Sequence, residues 1–328
     1  MSRRKLTIAR DVFRLAEVFT ISRGSKSTAD VLTVTIAEDG FVGRGECVPY
    51  ARYGETVETV EASVEDLRQA IEEGITREAL QDLLPSGAAR NAVDCALWDL
   101  EARKSGRRAY ELAGLAAPGP VITAFTLSLD DSATMRLKAR KNAYRPLLKI
   151  KLGGEGDLDR VVAVHEGAPD SSIVVDANEG WNAESYRVLA PELLKLGVRM
   201  VEQPLPASDD DALLDLERPL PVCADESCHD RASLSSLAGK YDMINIKLDK
   251  TGGLTEALLL KHEALSLGYG IMVGCMVGTS LAMAPAILVA QGAEVVDLDG
   301  PLLLAEDREC PLRYDAEGVH PPEPQLWG

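Results

Sequence analysis

Between residues 121 and 300 the chain alternates two kinds of segment. Short apolar runs centre near 125, 149, 175, 201, 223, 245, 273 and 297 and predict buried strands. At 158–166, 183–196, 209–216, 231–237, 254–267 and 280–290 apolar positions recur at helical spacing. Gly167, Gly197, Gly239, Gly268 and Gly292 punctuate most of these segments, as helix C-caps do. Eight parallel strands alternating with helices predict a closed (β/α)7β barrel of the TIM type. The first third has a different rhythm. Residues 31–36 and 41–43 flank Asp39-Gly40, which predicts a β-hairpin. Segments 56–73 and 90–103 carry helical spacing, with Val93, Leu97 and Leu100 on one stripe. Strands followed by helices read as an α+β unit, here a capping domain. Pro118-Gly119-Pro120 marks a boundary, giving a cap over 1–118 and a barrel over 119–302. The polar, proline-rich tail 303–328 is expected to pack back on the cap.

Charged residues close the short runs: Lys149 and Lys151, Asp176, Glu202, Asp225, Lys247, then Asp297 with Asp299. From Asp176 to Glu202, Asp225 and Lys247 the steps are 26, 23 and 22 residues, the length of one βα unit. Charges at the C-terminal ends of barrel strands converge on one mouth, where such barrels carry their chemistry. Asp176, Glu202 and Asp225 would be neighbours there. Three carboxylates without a soft ligand suit a hard dication such as Mg²⁺, and without a cation they would repel strongly. The structural alternative is three strand-end carboxylates accepting helix N-terminal amides. Three in register favour the metal.

Lys151 and Lys247 come from strands two and six, on opposite sides of a barrel. One could remove a proton from a substrate carbon while the other returns it to the opposite face, which is the geometry of an epimerase. A carbon acid beside a carboxylate is so weak that its enolate needs a metal. The base needs a lowered pKa, which Lys149 would favour and the nearby carboxylates oppose. The sequence leaves the sign of that balance open.

A net charge of −17 leaves no basic stripe for nucleic acid and no attraction to an anionic membrane. Six scattered cysteines form no disulfide framework, and Cys223 and Cys228 lack partners for a zinc site. No apolar stretch has the length of a signal peptide or membrane span, so the cytoplasm is expected. Homo-oligomerisation is left open. Gly252-Gly253 reads as a tight βα turn before a phosphate cradle. The four histidines read as surface or helix-face residues, and Trp98 and Trp181 as packing, with Trp181 a candidate for the mouth.

Ten segments carry a resemblance that spans nearly the whole chain: ISRGSKS, GECVPYARYGE, ARNAVDCALWDLEAR, LLKIKL, VVDANEGW, VEQPLP, CADESCH, NIKLDKTGGLTEAL, GCMVGTS and DLDGP. With them the chain resembles the enolase superfamily and, within it, the dipeptide epimerases, most nearly those of the L-Ala-D/L-Glu type. The lysine and carboxylate set is shared with muconate-type cycloisomerases and succinylbenzoate synthases; the Asp-x-Asp after the eighth strand is particular to dipeptide epimerases. The resemblance implies Mg²⁺ on Asp176, Glu202 and Asp225, with Lys151 and Lys247 as the two acid/bases. It implies Lys149 beside the enediolate, Asp297 and Asp299 on the dipeptide ammonium, and Thr126 touching substrate. Arg23 and Lys26, in a Gly/Ser-rich loop of the cap, suit the side-chain carboxylate of Glu, or are a solvated basic loop. The implied reaction inverts the C-terminal residue of a dipeptide, L-Ala-D-Glu to L-Ala-L-Glu, in the recycling of cell-wall peptide. The competing expectations are a cycloisomerase or succinylbenzoate synthase of the superfamily, and a non-catalytic barrel that binds a small acidic ligand.

Overall fold

The computed structural model describes residues 4–328. An antiparallel sheet of β1 (Lys5–Ile21), β2 (Gly24–Glu38) and β3 (Phe41–Cys47) opens the described residues, followed by helices of which the longest is Ala88–Ser105 and the last Ala109–Leu112. The hairpin turns at Asp39-Gly40, with φ of 53° and 85°. β1 is long, with only Leu6 and Leu15 fully buried and its alternation slipping phase at Ala9/Arg10. The predicted helix over 56–73 is broken at Leu67 into Val57–Asp66 and Arg68–Glu72. Helix Ala88–Ser105 packs against β3 at backbone distance. A Cβ on Gly43 would lie 2.2 Å from the Ala96 carbonyl and one on Gly45 2.1 Å from that of Ala92. Only glycine fits this approach.

Eight parallel strands follow: β4 (Phe125–Leu127), β5 (Leu147–Lys151), β6 (Ser172–Asp176), β7 (Val198–Glu202), β8 (Val222–Ala224), β9 (Met243–Ile246), β10 (Gly270–Gly274) and β11 (Val295–Asp297). They lie side by side in chain order, and all pair in parallel. The ring is completed between its ends, where Ala124 N donates to Val296 O at 2.7 Å and Leu298 N to Thr123 Oγ1 at 2.8 Å. The fold is therefore a (β/α)7β barrel of the TIM type with an N-terminal capping unit. Segment 209–216 forms a 3-10 helix over Asp210–Asp215, and 231–237 is a 3-10 turn followed by the helical turn Leu234–Leu237. Asp210 accepts from Ser227, Lys240 and Tyr241, and these tertiary bonds outweigh helical periodicity there.

The barrel floor is an apolar plug of one residue per strand line: Ala124, Leu147, Val174, Met200, Cys223, Met243, Met272 and Val295. Side chains two residues apart share a strand face. The next inward layer is therefore Thr126, Lys149, Asp176, Glu202, Asp225, Asn245, Gly274 and Asp297. Strand parity alone converts an apolar floor into a charged layer at the C-terminal mouth.

The cap is bonded onto this mouth. Asp249 Oδ1 accepts from Val48 N at 3.0 Å and Asn91 Nδ2 at 2.8 Å, and Asp94 accepts from Thr255 N and Oγ1. Arg90 donates to the carbonyls of Thr251 and Gly252. Gly252 and Gly253 turn at φ of 76° and 110° against Arg90 and Asp94, so they form a packed turn beneath the cap. The C-terminal tail returns to the cap helix: Trp327 Nε1 donates to Cys95 O and Gly328 N to Asp99 Oδ1.

Candidate active site

Register places the charges side by side. Lys151 pairs with Asp176 and Asp176 with Glu202, while Thr126 pairs with Lys149. Asp225 follows β8 directly, and Lys247 follows β9. Asp176, Glu202 and Asp225 each offer an oxygen within 4.8 Å of the others, and all three are buried. Glu202 Oε2 receives no aligned hydrogen bond, although Lys149 Nζ stands 2.5 Å from it. Three buried carboxylates that converge as an all-oxygen set fit a hard divalent cation.

Four ammonium groups offset these carboxylates. Lys151 Nζ donates to Asp176 Oδ2 at 2.6 Å, and Lys247 Nζ to Asp225 Oδ2 at 2.6 Å. Lys149 lies among Asp176 (3.2 Å), Glu202 (2.5 Å) and Asp297 (2.8 Å). Lys250 donates to Asp225 O and Oδ1 and to Asn245 O, at 2.6, 2.7 and 2.8 Å. Burial pushes the Asp176 carboxyl up, but Lys151 and Lys149 overcome it and hold it at about 2. Burial and the neighbouring Asp176 carry Glu202 to about 7 against Lys149. Burial opposes ionisation of Asp225, yet Lys247 and Lys250 draw its pKa well below the usual carboxylate range. Burial likewise opposes the Lys247 charge, while Asp225 and Glu202 more than offset it and raise its pKa. In this arrangement the carboxylates win the balance at Lys247.

A cavity of about 480 Å³ opens above this layer. Lys151 and Lys247 both line it, from strands four places apart in a ring of eight. Thr126, Asp297 and Asp299 line another side. Thr126 N donates to Asp299 Oδ2 at 2.6 Å, and burial with the nearby Asp297 charge carries Asp299 to about 7. Arg23 and Lys26 reach the same cavity from the cap. Arg23 sits at the tip of the β1–β2 hairpin and donates to Asn178 O, Glu179, Tyr50 and Glu226. Burial lowers the pKa of Lys26. All eleven predicted site residues thus meet in one cavity or directly beneath it.

Sequence reasoning missed Asn245, Lys250 and Glu226. Asn245 Nδ2 donates to Glu202 Oε1 at 2.7 Å, and its position two residues before Lys247 on the same strand face was the available signal. Lys250 lies in the turn after β9, where strand parity does not reach. Trp181 is buried in packing and does not line the cavity, donating to Asp157 Oδ2 at 2.7 Å. His320 is buried between Arg313 and Asp315, so it is not a surface histidine.

Comparison with known proteins agrees with this geometry. The family described as mandelate racemase / muconate lactonizing enzyme, N-terminal domain, matches residues 3–114, and the enolase C-terminal domain-like family matches 133–321. The chain belongs to the enolase superfamily. Within it, the L-Ala-D/L-Glu epimerase of Escherichia coli (strain K12) is 46% identical over 97% of this chain and 99% of its own. The N-acetyl-D-glutamate racemase of a Pseudoalteromonas species is 43% identical over 91% of this chain and 95% of its own. A solved enolase-family structure from Agrobacterium tumefaciens, described as having homology to dipeptide epimerases and holding sodium and L-Ala-L-Glu, superposes with a TM-score of 0.97. It is 53% identical and covers 99% of this chain and 100% of its own. This enolase-superfamily protein is an isomerase, an epimerase of dipeptides or amino acids.

Proposed function

We propose that this enzyme is Mg²⁺-dependent and interconverts L-Ala-D-Glu and L-Ala-L-Glu by inverting the α-carbon of the glutamate. The observation that carries the reading is one cavity lined by Lys151 and Lys247 from opposite strands, with three carboxylates beneath it. Asp176, Glu202 and Asp225 would hold the ion, whose charge supplies the acidity that an α-proton beside a carboxylate lacks. Lys151 and Lys247 then exchange protons with opposite faces of that carbon. Both are hydrogen-bonded to carboxylates of the same cluster, which fixes their Nζ atoms and orients them. Lys149, buried among three carboxylates, lends positive charge to the enediolate oxygens and keeps the cluster from repelling itself.

Asp297 and Asp299 would receive the dipeptide ammonium, beside Thr126. Arg23, with Lys26, would read the glutamate side chain. A role in recycling cell-wall peptide in the cytoplasm accords with that substrate.

A second reading, inversion of an N-acylated glutamate, is raised by the Pseudoalteromonas relative. Paired carboxylates in the cavity wall favour a cation over an acyl group. Incubation of a dipeptide library and of N-acetylglutamate with enzyme and Mg²⁺ in deuterated water, read by mass, tests both. Deuterium should enter Ala-Glu at one carbon. Exchange into N-acetylglutamate in preference to Ala-Glu would reverse the assignment.

A further inference from the structure

Arg23 reaches the cavity already occupied. One guanidinium nitrogen donates to Asn178 O at 2.8 Å and Glu179 Oε2 at 3.1 Å; the other donates to Tyr50 Oη at 3.0 Å and Glu226 Oε1 at 2.7 Å. The two carboxylates are not equivalent. Glu179 is fixed independently, by Arg52 at 2.7 and 2.6 Å and by Ala207 N at 2.9 Å. Glu226 is 4% exposed, and its other oxygen has no hydrogen-bond partner among the described residues. Arg23 is the one donor its side chain has there. Both residues line the substrate cavity.

We infer that Glu226 is a specificity-determining residue, which occupies on Arg23 the place an acidic substrate side chain would take and so sets how strongly the enzyme prefers glutamate. The inference rests on the reading that Arg23 recognises the acidic side chain. An incoming carboxylate must either displace Glu226, stranding a buried charge, or share the guanidinium with it at close range. Either course weakens binding of an acidic side chain and not of a neutral one. The cavity therefore carries an internal competitor for the same donor, tempering the preference that Arg23 alone would impose.

The test is the ratio of kcat/KM for Ala-Glu to that for the neutral isostere Ala-Gln, in the Mg²⁺-loaded enzyme. Taking the ratio cancels any common effect on the neighbouring Asp225. Glu226→Gln keeps the shape, removes the charge and adds a donor. It should raise the ratio about ten- to a hundredfold, the range for a charge-assisted hydrogen bond, mainly through a lower KM for Ala-Glu. Glu226→Met carries the same expectation should the glutamine variant not fold. Arg23→Ala should erase the preference, and adding Glu226→Gln to it should then change nothing. If Arg23→Ala erases the preference but Glu226→Gln leaves or lowers the ratio, the role of Glu226 is overturned while that of Arg23 stands. If the preference survives Arg23→Ala, recognition by Arg23 fails and this inference falls with it.

Discussion

Lys149→Met removes the cation on which the charged layer balances. Lys149 is 1% exposed and contacts Asp176, Glu202 and Asp297, so its loss leaves three buried carboxylates short of a partner. Removing one member of a buried pair costs about 3–5 kcal/mol. Lys151 still holds Asp176 and Asn245 still holds Glu202, which keeps the loss within that range. An unfolding entropy of about 2.1 cal/mol/K per residue gives about 0.7 kcal/mol/K for 328 residues, so Tm should fall by about 4–7 °C. The measurement is calorimetry on metal-stripped wild type and variant at about pH 7.5, repeated with saturating Mg²⁺. The ion restores a positive charge to Asp176 and Glu202 but not to Asp297. It should therefore stabilise the variant more than the wild type without closing the gap. The pH matters: burial opposes the Lys149 charge, but its three carboxylates push its pKa well above the usual lysine value. A raised pKa contributes stability that is complete below the unfolded value of about 10.4 and lost as pH rises through the folded value. Near neutrality the whole contribution is present. A loss under about 2 °C in the metal-stripped variant, against the expected range, would show that Lys149 is not the balancing charge.

Stripping with a chelator should abolish turnover and Mg²⁺ should restore it; full activity with no metal by elemental analysis would exclude the three-carboxylate site. Asp299→Asn should cost about ten- to a hundredfold in kcat/KM for Ala-Glu, the value of a charge-assisted contact, and lessen discrimination against N-acetylated Ala-Glu. Because the Asp299 carboxyl is carried to about 7, wild-type KM for Ala-Glu should fall as pH rises through that value. Gly45→Ala should destabilise the cap by about 1–3 kcal/mol or more in chemical denaturation, since its Cβ would meet the Ala92 carbonyl at 2.1 Å.

The barrel was legible because six of its eight strands are short apolar runs closed by a charge, and period-two parity carries that charge inward. The same parity applied two residues before Lys247 would have exposed Asn245. The rest was hidden for physical reasons. β1 alternates in burial (Leu6 and Ile8, then Asp11, Phe13 and Leu15), but the phase slips at Ala9/Arg10 and only Leu6 and Leu15 are fully buried, so its apolar residues show no single period. The helix Ser132–Lys141 buries only Met135 and Ala139, too thin a stripe to stand out among its basic residues. Lys250 and Glu226 lie past the ends of strands, where tertiary contacts decide direction. Arg23 was legible as a cation near the substrate but not as one already paired across to the barrel, because Glu226 is 203 residues away.

The central claim is that two lysines serve opposite faces of one carbon. Its most direct measurement is α-proton exchange in deuterated water, with Lys151→Ala and Lys247→Ala each given L-Ala-D-Glu and L-Ala-L-Glu separately. Neither variant should epimerise. Each should exchange the α-proton of one diastereomer only, and the two should exchange opposite ones. Epimerisation at the wild-type rate by either variant, or exchange of the same diastereomer by both, would contradict the two-base account.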